Sequence, residues 1–578
     1  MLALLAFVVV MFSLEAQPRA HGSDLAPDAF SGADAFAQTE RLTAAYPDRR
    51  AGRPDDAALG DFVERRFREL GMETSRQRFF ADVDGNDAEL SNVIGRLRGR
   101  SDRQVVILAH RDSAGRPGAT AASNTAVLLE LAQALDALDR RKTIVFVSAD
   151  GASEGMAGAQ RFAERYADRR KIEAALVLDD IGARPPQRPY LVPWSSGSSR
   201  ASLTAMRTAE AALVREAGTT AGTDSWLGQL VHLAWPLTLR EQGPLVEGGI
   251  DAVTLTGRSE LPRGSGGDTI DGISEDRMTR FGRAAFAALL AFDSPGYRGK
   301  PPSRYLTAGR NVIPGWSLAL LAIGLIVPAL VTAVDAAARA RRRGFPVRPW
   351  LRWSLASAVP FAVTVFAALV FEWIGWLPDT VEQAVAPATR PSFGGAVGAM
   401  LALAALFGLA WIALRRVALG DVRARRLPLE GAAPALAMLL SAEALVVCAV
   451  NPFTGLLLVP AVHLCLLAGL SETPRRVPLA AGVIVGALAL PVLAMLYYGA
   501  RFDLGLSLHS YLQLLVSTAS GSVSSAILGS LVAGSLTSGA LLAFGGSDRR
   551  AAPAITVRGP VSYAGPGSLG GTESALRH

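Results

Sequence analysis

The chain has 578 residues, half of them hydrophobic, with a positive mean hydropathy and a formal net charge of +7. It is too long for one compact domain and too apolar for an ordinary soluble protein. The positive balance is no nucleic-acid signature, because the basic residues of the second half cluster in short loops between apolar runs.

In chain order, "MLALLAFVVVMFSL" opens a first segment, residues 1–19. It lacks a basic n-region and a small-x-small cleavage site, so it is expected to be an uncleaved signal anchor, a cleaved signal peptide being the alternative. Residues 20–310 hold nearly all the acidic groups and alternate helix-like with strand-like patterns. "LGDFVERRFRELGM" predicts an amphipathic helix, "LSNVIGRLRG" and "RQVVILAHRD" predict strands, and "NTAVLLELAQALDAL" predicts a helix. "KTIVFVSAD", "AALVLDDIG" and "DAVTLTG" predict buried strands, with helices over "GAQRFAERYADRR" and "EDRMTRFGRAAFAALLAF". Such alternation argues for an α/β domain with a mostly parallel core flanked by helices. Ligand and metal sites of such sheets are built at the strand ends. The only cysteines, Cys448 and Cys465, lie in apolar runs, so this domain has no disulfide.

Residues 311–545 contain seven stretches near or above the about 20 apolar residues that cross a bilayer as a helix. They are approximately 314–335, 353–376, 393–414, 431–450, 453–470, 477–499 and 522–545, and they predict an all-α transmembrane bundle. The strongly basic loops 338–352, 415–426, 474–476 and 548–550 alternate with 377–392, 451–452 and 500–510. Every strongly basic loop falls on one side, which the positive-inside rule assigns to the cytoplasm. Residues 20–310 are then extracytoplasmic, and 546–578, rich in Gly, Pro and Ser, form a disordered cytoplasmic tail. The Arg-, Ala- and Gly-rich composition suggests a bacterial plasma membrane. Within the spans, Glu443 and His463 are either a functional pair, as in a transporter-like module, or a hydrogen bond that holds a hairpin together.

"VVILAHRDS…PGA…LLELAQAL", "TIVFVSADG…EGMAGAQRFA", "LVLDDIG", "GGIDAVTLTG" and "GDTIDGIS" come in the order and spacing of the M28 metallopeptidases. About residues 35–295 resemble that family. The resemblance implies zinc aminopeptidase chemistry: two metals bridged by an Asp, and a Glu base acting on metal-bound water. A zinc site of this kind needs three protein ligands and an open position. By the same resemblance His110 and Asp179 match metal ligands, and Asp112 matches the carboxylate that orients the His110 imidazole. The bridging position falls on Thr120 and Ala121, the general base on Ala152, a further ligand on Ser153 and the last histidine on Gly264. The neighbours Asp150, Glu154 and Asp180 offer poor substitutes, and His232 reads as a packed core histidine.

The expectation is therefore a membrane-embedded M28-like pseudopeptidase, non-catalytic, holding no cofactor, or zinc if any site is retained. Its exported domain is expected to bind a protein or peptide partner in the old cleft. A membrane-bound zinc aminopeptidase with an altered site and a transporter-like module with an accessory ectodomain are the alternatives.

Overall fold

The computed structural model describes residues 2–83, 85–184, 189–222, 224–258, 260–261, 268–377, 385, 393–417, 431–470, 476–504, 514 and 523–544. Gly264 and the tail 546–578 lie outside the described residues.

The elements of the first half are α1 (Leu2–Phe12), β1 (Glu15–Ala16), α2 (Gly32–Ala45), α3 (Pro54–Glu69), β2 (Glu73–Val83), β3 (Asn86–Leu97), β4 (Ser101–His110), α4 (Ala119–Asp136), β5 (Lys142–Ala149) and α5 (Ala157–Arg165). There follow β6 (Ile172–Asp179), β7 (Tyr190–Val192), α6 (Leu203–Ala217), α7 (Trp226–Ala234), α8 (Gln242–Glu247), β8 (Ala252–Thr256), α9 (Glu275–Asp293), β9 (Tyr305–Ala308) and β10 (Asn311–Pro314).

The main sheet has the order β2-β3-β5-β4-β6-β8-β7. Its centre, β5-β4-β6-β8, is parallel, and the flanking pairings are antiparallel. The parallel strands are continuous apolar runs because both faces are covered: every residue of β5 is buried, and so is every residue of β6 except the first. The predicted α/β domain with a mostly parallel core is thus the observed one. One edge was not foreseen. Glu73–Val83 carries too many polar side chains to look like a strand, yet it pairs with β3 along its whole length as an outer strand. Helix α4 also begins earlier than its hydrophobic period suggested, at Ala119, because Gly118 turns the chain with φ 71°.

The second half contains seven described helices long and apolar enough to cross a membrane. They are Gly315–Arg342, Val347–Trp373, Val397–Leu414, Ala432–Val450, Pro452–Gly469, Arg476–Arg501 and Val523–Phe544, one for each apolar stretch expected. A small sheet, β1-β10-β9, joins the two halves. It sets α1, at 11 residues, beside Gly315–Arg342, so the first segment packs on the first membrane helix.

Helix α7 closes the junction. Leu230, Leu233, Val192 and Trp194 share one buried cluster with Phe453 and Leu318 of the membrane helices. Asn451, in the turn before Pro452–Gly469, donates to the Leu233 carbonyl at 2.8 Å, and the Thr454 hydroxyl donates to that of Ala234 at 2.7 Å.

The expected Glu443–His463 hydrogen bond is not made. Glu443 accepts from the Ser535 hydroxyl at 2.9 Å, and His463 Nδ1 lies 2.9 Å from the Val459 carbonyl of its own helix. From the turn at Asn451 the two residues differ by four positions, a mismatch of about 6 Å along the helix axes. Glu443 instead ties Ala432–Val450 to Val523–Phe544.

Candidate functional site

Parallel pairing sets the geometry. β4 ends at His110 and β6 at Asp179, with Ala109 opposite Leu178, so both side chains emerge at the same edge of the sheet. His110 Nε2 lies 3.8 Å from Asp179 Oδ1, and both residues are buried. The two matched ligand positions are therefore brought together.

What surrounds them was not foreseen. Arg240 places Nε 2.5 Å from Asp179 Oδ2, and its Nη2 donates to the Leu261 carbonyl at 2.9 Å and lies 3.5 Å from Asp180 Oδ2. Glu241 places Oε2 3.0 Å from His110 Nδ1. Arg240 has no exposed side-chain surface, and Glu241 is equally enclosed. Arg258 stands 3.2 Å from Asp180, whose carboxylate raises the guanidinium's affinity for its proton. Asp180 itself adopts φ 49°, and its carbonyl would lie 2.0 Å from a Cβ at Gly257, so only glycine fits there. Buried charges persist only when paired, and here guanidinium groups supply the pairing.

Asp112 does not orient the His110 imidazole as the resemblance implied. Its carboxylate accepts from Ala152 N at 2.9 Å, Ser153 N at 3.0 Å and the Ser153 hydroxyl at 2.8 Å. It thus holds the turn that carries the general-base position, while Glu241 takes the Nδ1 side of His110. Ala152 is buried and has no proton-transfer chemistry. Ser153 directs its hydroxyl at a carboxylate rather than a histidine, so it is no activated nucleophile.

The bridging position is equally altered. Thr120 donates from N at 3.0 Å and from its hydroxyl at 2.6 Å to Asp268, and Ala121 is a buried methyl in the first turn of α4. Burial raises the Asp268 pKa, opposed by the hydrogen bonds from Thr120. A second buried cation stands next to His110 in sequence. Arg111 lies 3.0 Å from Asp56 Oδ2 and 2.7 Å from Asp150 Oδ2. Burial opposes its charge, but Asp150 and Asp56 outweigh that and raise its pKa. Burial raises the pKa of Asp56 and Asp150 as well, with Arg111 opposing. Asp150 also accepts from Ser91 N at 2.8 Å, and Glu154 lies 3.4 Å from the Ser153 hydroxyl.

The family chemistry implied zinc, and the residues present do not fit it. Arg240 already covers the Asp179 carboxylate with a positive group, and a dication placed there would face both its charge and its bulk. Among the described residues no group of three or more His, Cys, Asp or Glu is placed to hold a metal.

His232 lies away from this cluster, in the seam with the membrane helices. It is fully buried, stacks on Trp194 at 4.2 Å between ring centroids, and meets Tyr497 and Tyr498. Burial lowers its pKa well below the usual histidine range. The seam continues toward the site. Arg501, ending the helix Arg476–Arg501, lies 2.7 Å from Glu260 and 2.6 Å from Asp224. Glu260 accepts from Leu239 N at 3.1 Å and from the Thr238 hydroxyl, and Tyr498 accepts from Leu237 N at 3.1 Å. The segment that delivers Arg240 and Glu241 is therefore held from the membrane side.

The family model "Peptidase family M28" matches residues 92–228. Human transferrin receptor protein 2 is 31% identical over 110 residues, a stretch that covers 18% of this chain and only 14% of that receptor. The zinc aminopeptidase from Bacillus subtilis is similar at 15% identity and a TM-score of 0.37, over 45% of this chain and 94% of that one. A glutaminyl cyclase from Porphyromonas gingivalis is similar at 21% identity and a TM-score of 0.36, over 45% of this chain and 98% of that one. Over residues 92–228 the α/β unit is thus similar to peptidase family M28.

Proposed function

We propose that the protein is a membrane-embedded pseudopeptidase, a non-catalytic scaffold whose M28 domain is displayed on the outer face of a bacterial plasma membrane. The observation that carries the reading is the Arg240 guanidinium lodged against Asp179, which supplies from within the chain the positive charge that family members take from metal. The bridging, base and ligand positions at Ala121, Ala152 and Ser153 offer no carboxylate, which supports the same reading. Sidedness rests on the basic loops, with residues 20–310 outside and the tail inside. The partner is a protein or peptide engaged by the exported domain rather than a nucleic acid. Because His110, Asp179, Arg240 and Glu241 are all buried, such a partner meets the rim of the old cleft and not these four side chains.

The test is turnover by the purified full chain across a panel of aminoacyl and N-terminal glutaminyl substrates, with added zinc and with chelator. The proposal expects no metal-dependent turnover on any substrate. Release of an N-terminal residue that chelator abolishes would overturn it.

A further inference from the structure

Helix α7 is fastened at both ends to the ends of membrane helices. Asp224, two residues before it, pairs with Arg501, the last residue of Arg476–Arg501. At its other end the Leu233 and Ala234 carbonyls bond to Asn451 and Thr454 where Pro452–Gly469 begins. At nine residues it spans about 13 Å, so it lies along the level where these helices leave the apolar layer. One side is buried through Leu230, Val231 and Leu233, and Gly228 abuts Tyr497, one turn inside the end of its helix. Against that background Trp226 and Leu227 are 52% and 42% exposed. They form an apolar edge beside the tyrosines of a membrane helix end. Trp316, at the start of Gly315–Arg342, is likewise exposed.

A tryptophan beside a leucine at this level has a matching environment, the boundary between headgroups and acyl chains, where an amphipathic ring keeps its apolar body in lipid and its N–H in water. We infer that Trp226 and Leu227 form a lipid-contacting foot, by which the M28 domain rests on the outer leaflet of the bilayer that its own helices span. The inference rests on the membrane-embedded reading and adds to it a contact between the α/β domain and lipid.

The test uses the full chain in phosphatidylcholine vesicles with a fluorophore on one introduced cysteine; the native Cys448 and Cys465 are buried. Three positions are compared: Trp226→Cys, Leu488→Cys in the middle of a membrane helix, and Phe80→Cys on β2, the sheet edge opposite β7. Nitroxide on the lipid should quench the labels at 226 and 488 more than a water-soluble nitroxide does, with the order reversed at 80. If the label at 226 behaves like that at 80, the foot does not touch lipid and the inference falls. If it is shielded from both quenchers, a protein surface covers the edge, and the inference falls again. If the label at 488 also escapes the lipid quencher, the membrane reading itself has failed and takes the foot with it.

Discussion

Arg240 Nε lies 2.5 Å from Asp179 Oδ2, both groups buried at the end of β6. The carboxylate that the resemblance matches to a metal ligand is thus paired with a side chain 61 positions later in the same chain.

The pair makes a stability prediction. Arg240→Met removes the guanidinium beside the buried Asp179 carboxylate and should destabilise the chain by about 3–5 kcal/mol. Adding Asp179→Asn should recover a large part of the loss, since the double variant buries neither charge. Thermal unfolding of the full chain in detergent, read as a double-mutant cycle, measures the coupling. Additive losses would mean that the contact carries little.

A second prediction concerns metal. Ala121→Asp puts a carboxylate at one of the two positions that the resemblance matches to the bridging Asp, which with His110 and Asp179 makes three ligands by type. With Arg240 in place this variant should still take up no zinc, because the guanidinium holds Asp179 Oδ2. With Arg240→Ala added it should bind zinc in a calorimetric titration. Equal binding with and without Arg240 would show that the guanidinium does not guard the position.

Asp251 gives a pH dependence. Its carboxylate accepts from Ser202 N at 2.7 Å and from the Ser202 hydroxyl at 2.6 Å, but burial dominates and raises its pKa from 3.8 to about 6. The folded chain therefore keeps this proton up to about pH 6, whereas the unfolded chain releases it near 3.8. The folded state binds more protons between these values, so this group's contribution to stability falls as pH rises through the window and is constant above it. The difference is on the order of 3 kcal/mol. Unfolding of wild type and Asp251→Asn between pH 4 and 7 should show the wild type losing stability relative to the variant over that interval.

Sequence and structure diverge in an instructive way. The parallel core was legible because β4, β5 and β6 are apolar runs that end in charged or turn residues. That Thr120, Ala121, Ala152 and Ser153 stand where the M28 family has carboxylates was legible only through the resemblance. Arg240 and Glu241 were not, because "LTLREQG" reads as an ordinary charged surface step after an apolar helix. Only the long-range packing of the segment before α8 against the ends of β4 and β6 makes them interior. Asp112 misled for a related reason. The resemblance matches it to an imidazole partner, but the backbone N–H groups of Ala152 and Ser153 take its carboxylate instead. Arg111, between His110 and Asp112, gives no sign in the sequence of the complete burial it has in the fold.

The seam with the membrane yields a further prediction. Arg501 reaches both Glu260 and Asp224, a span that suits a planar guanidinium and not an ammonium. Arg501→Ala should loosen residues 235–241, which Glu260 and Tyr498 hold. Limited proteolysis of the full chain should then cut in this segment several-fold faster, with Arg501→Lys intermediate. Unchanged cleavage would show that the buried apolar cluster alone fastens the domain.

The most direct measurement is the zinc content of the purified full chain by elemental analysis after equilibration with zinc and removal of the excess. The guanidinium-for-metal substitution predicts well under one ion per chain, unchanged in His110→Ala. One or two tightly held ions per chain, lost in His110→Ala, would contradict it and return the domain to the metallopeptidases.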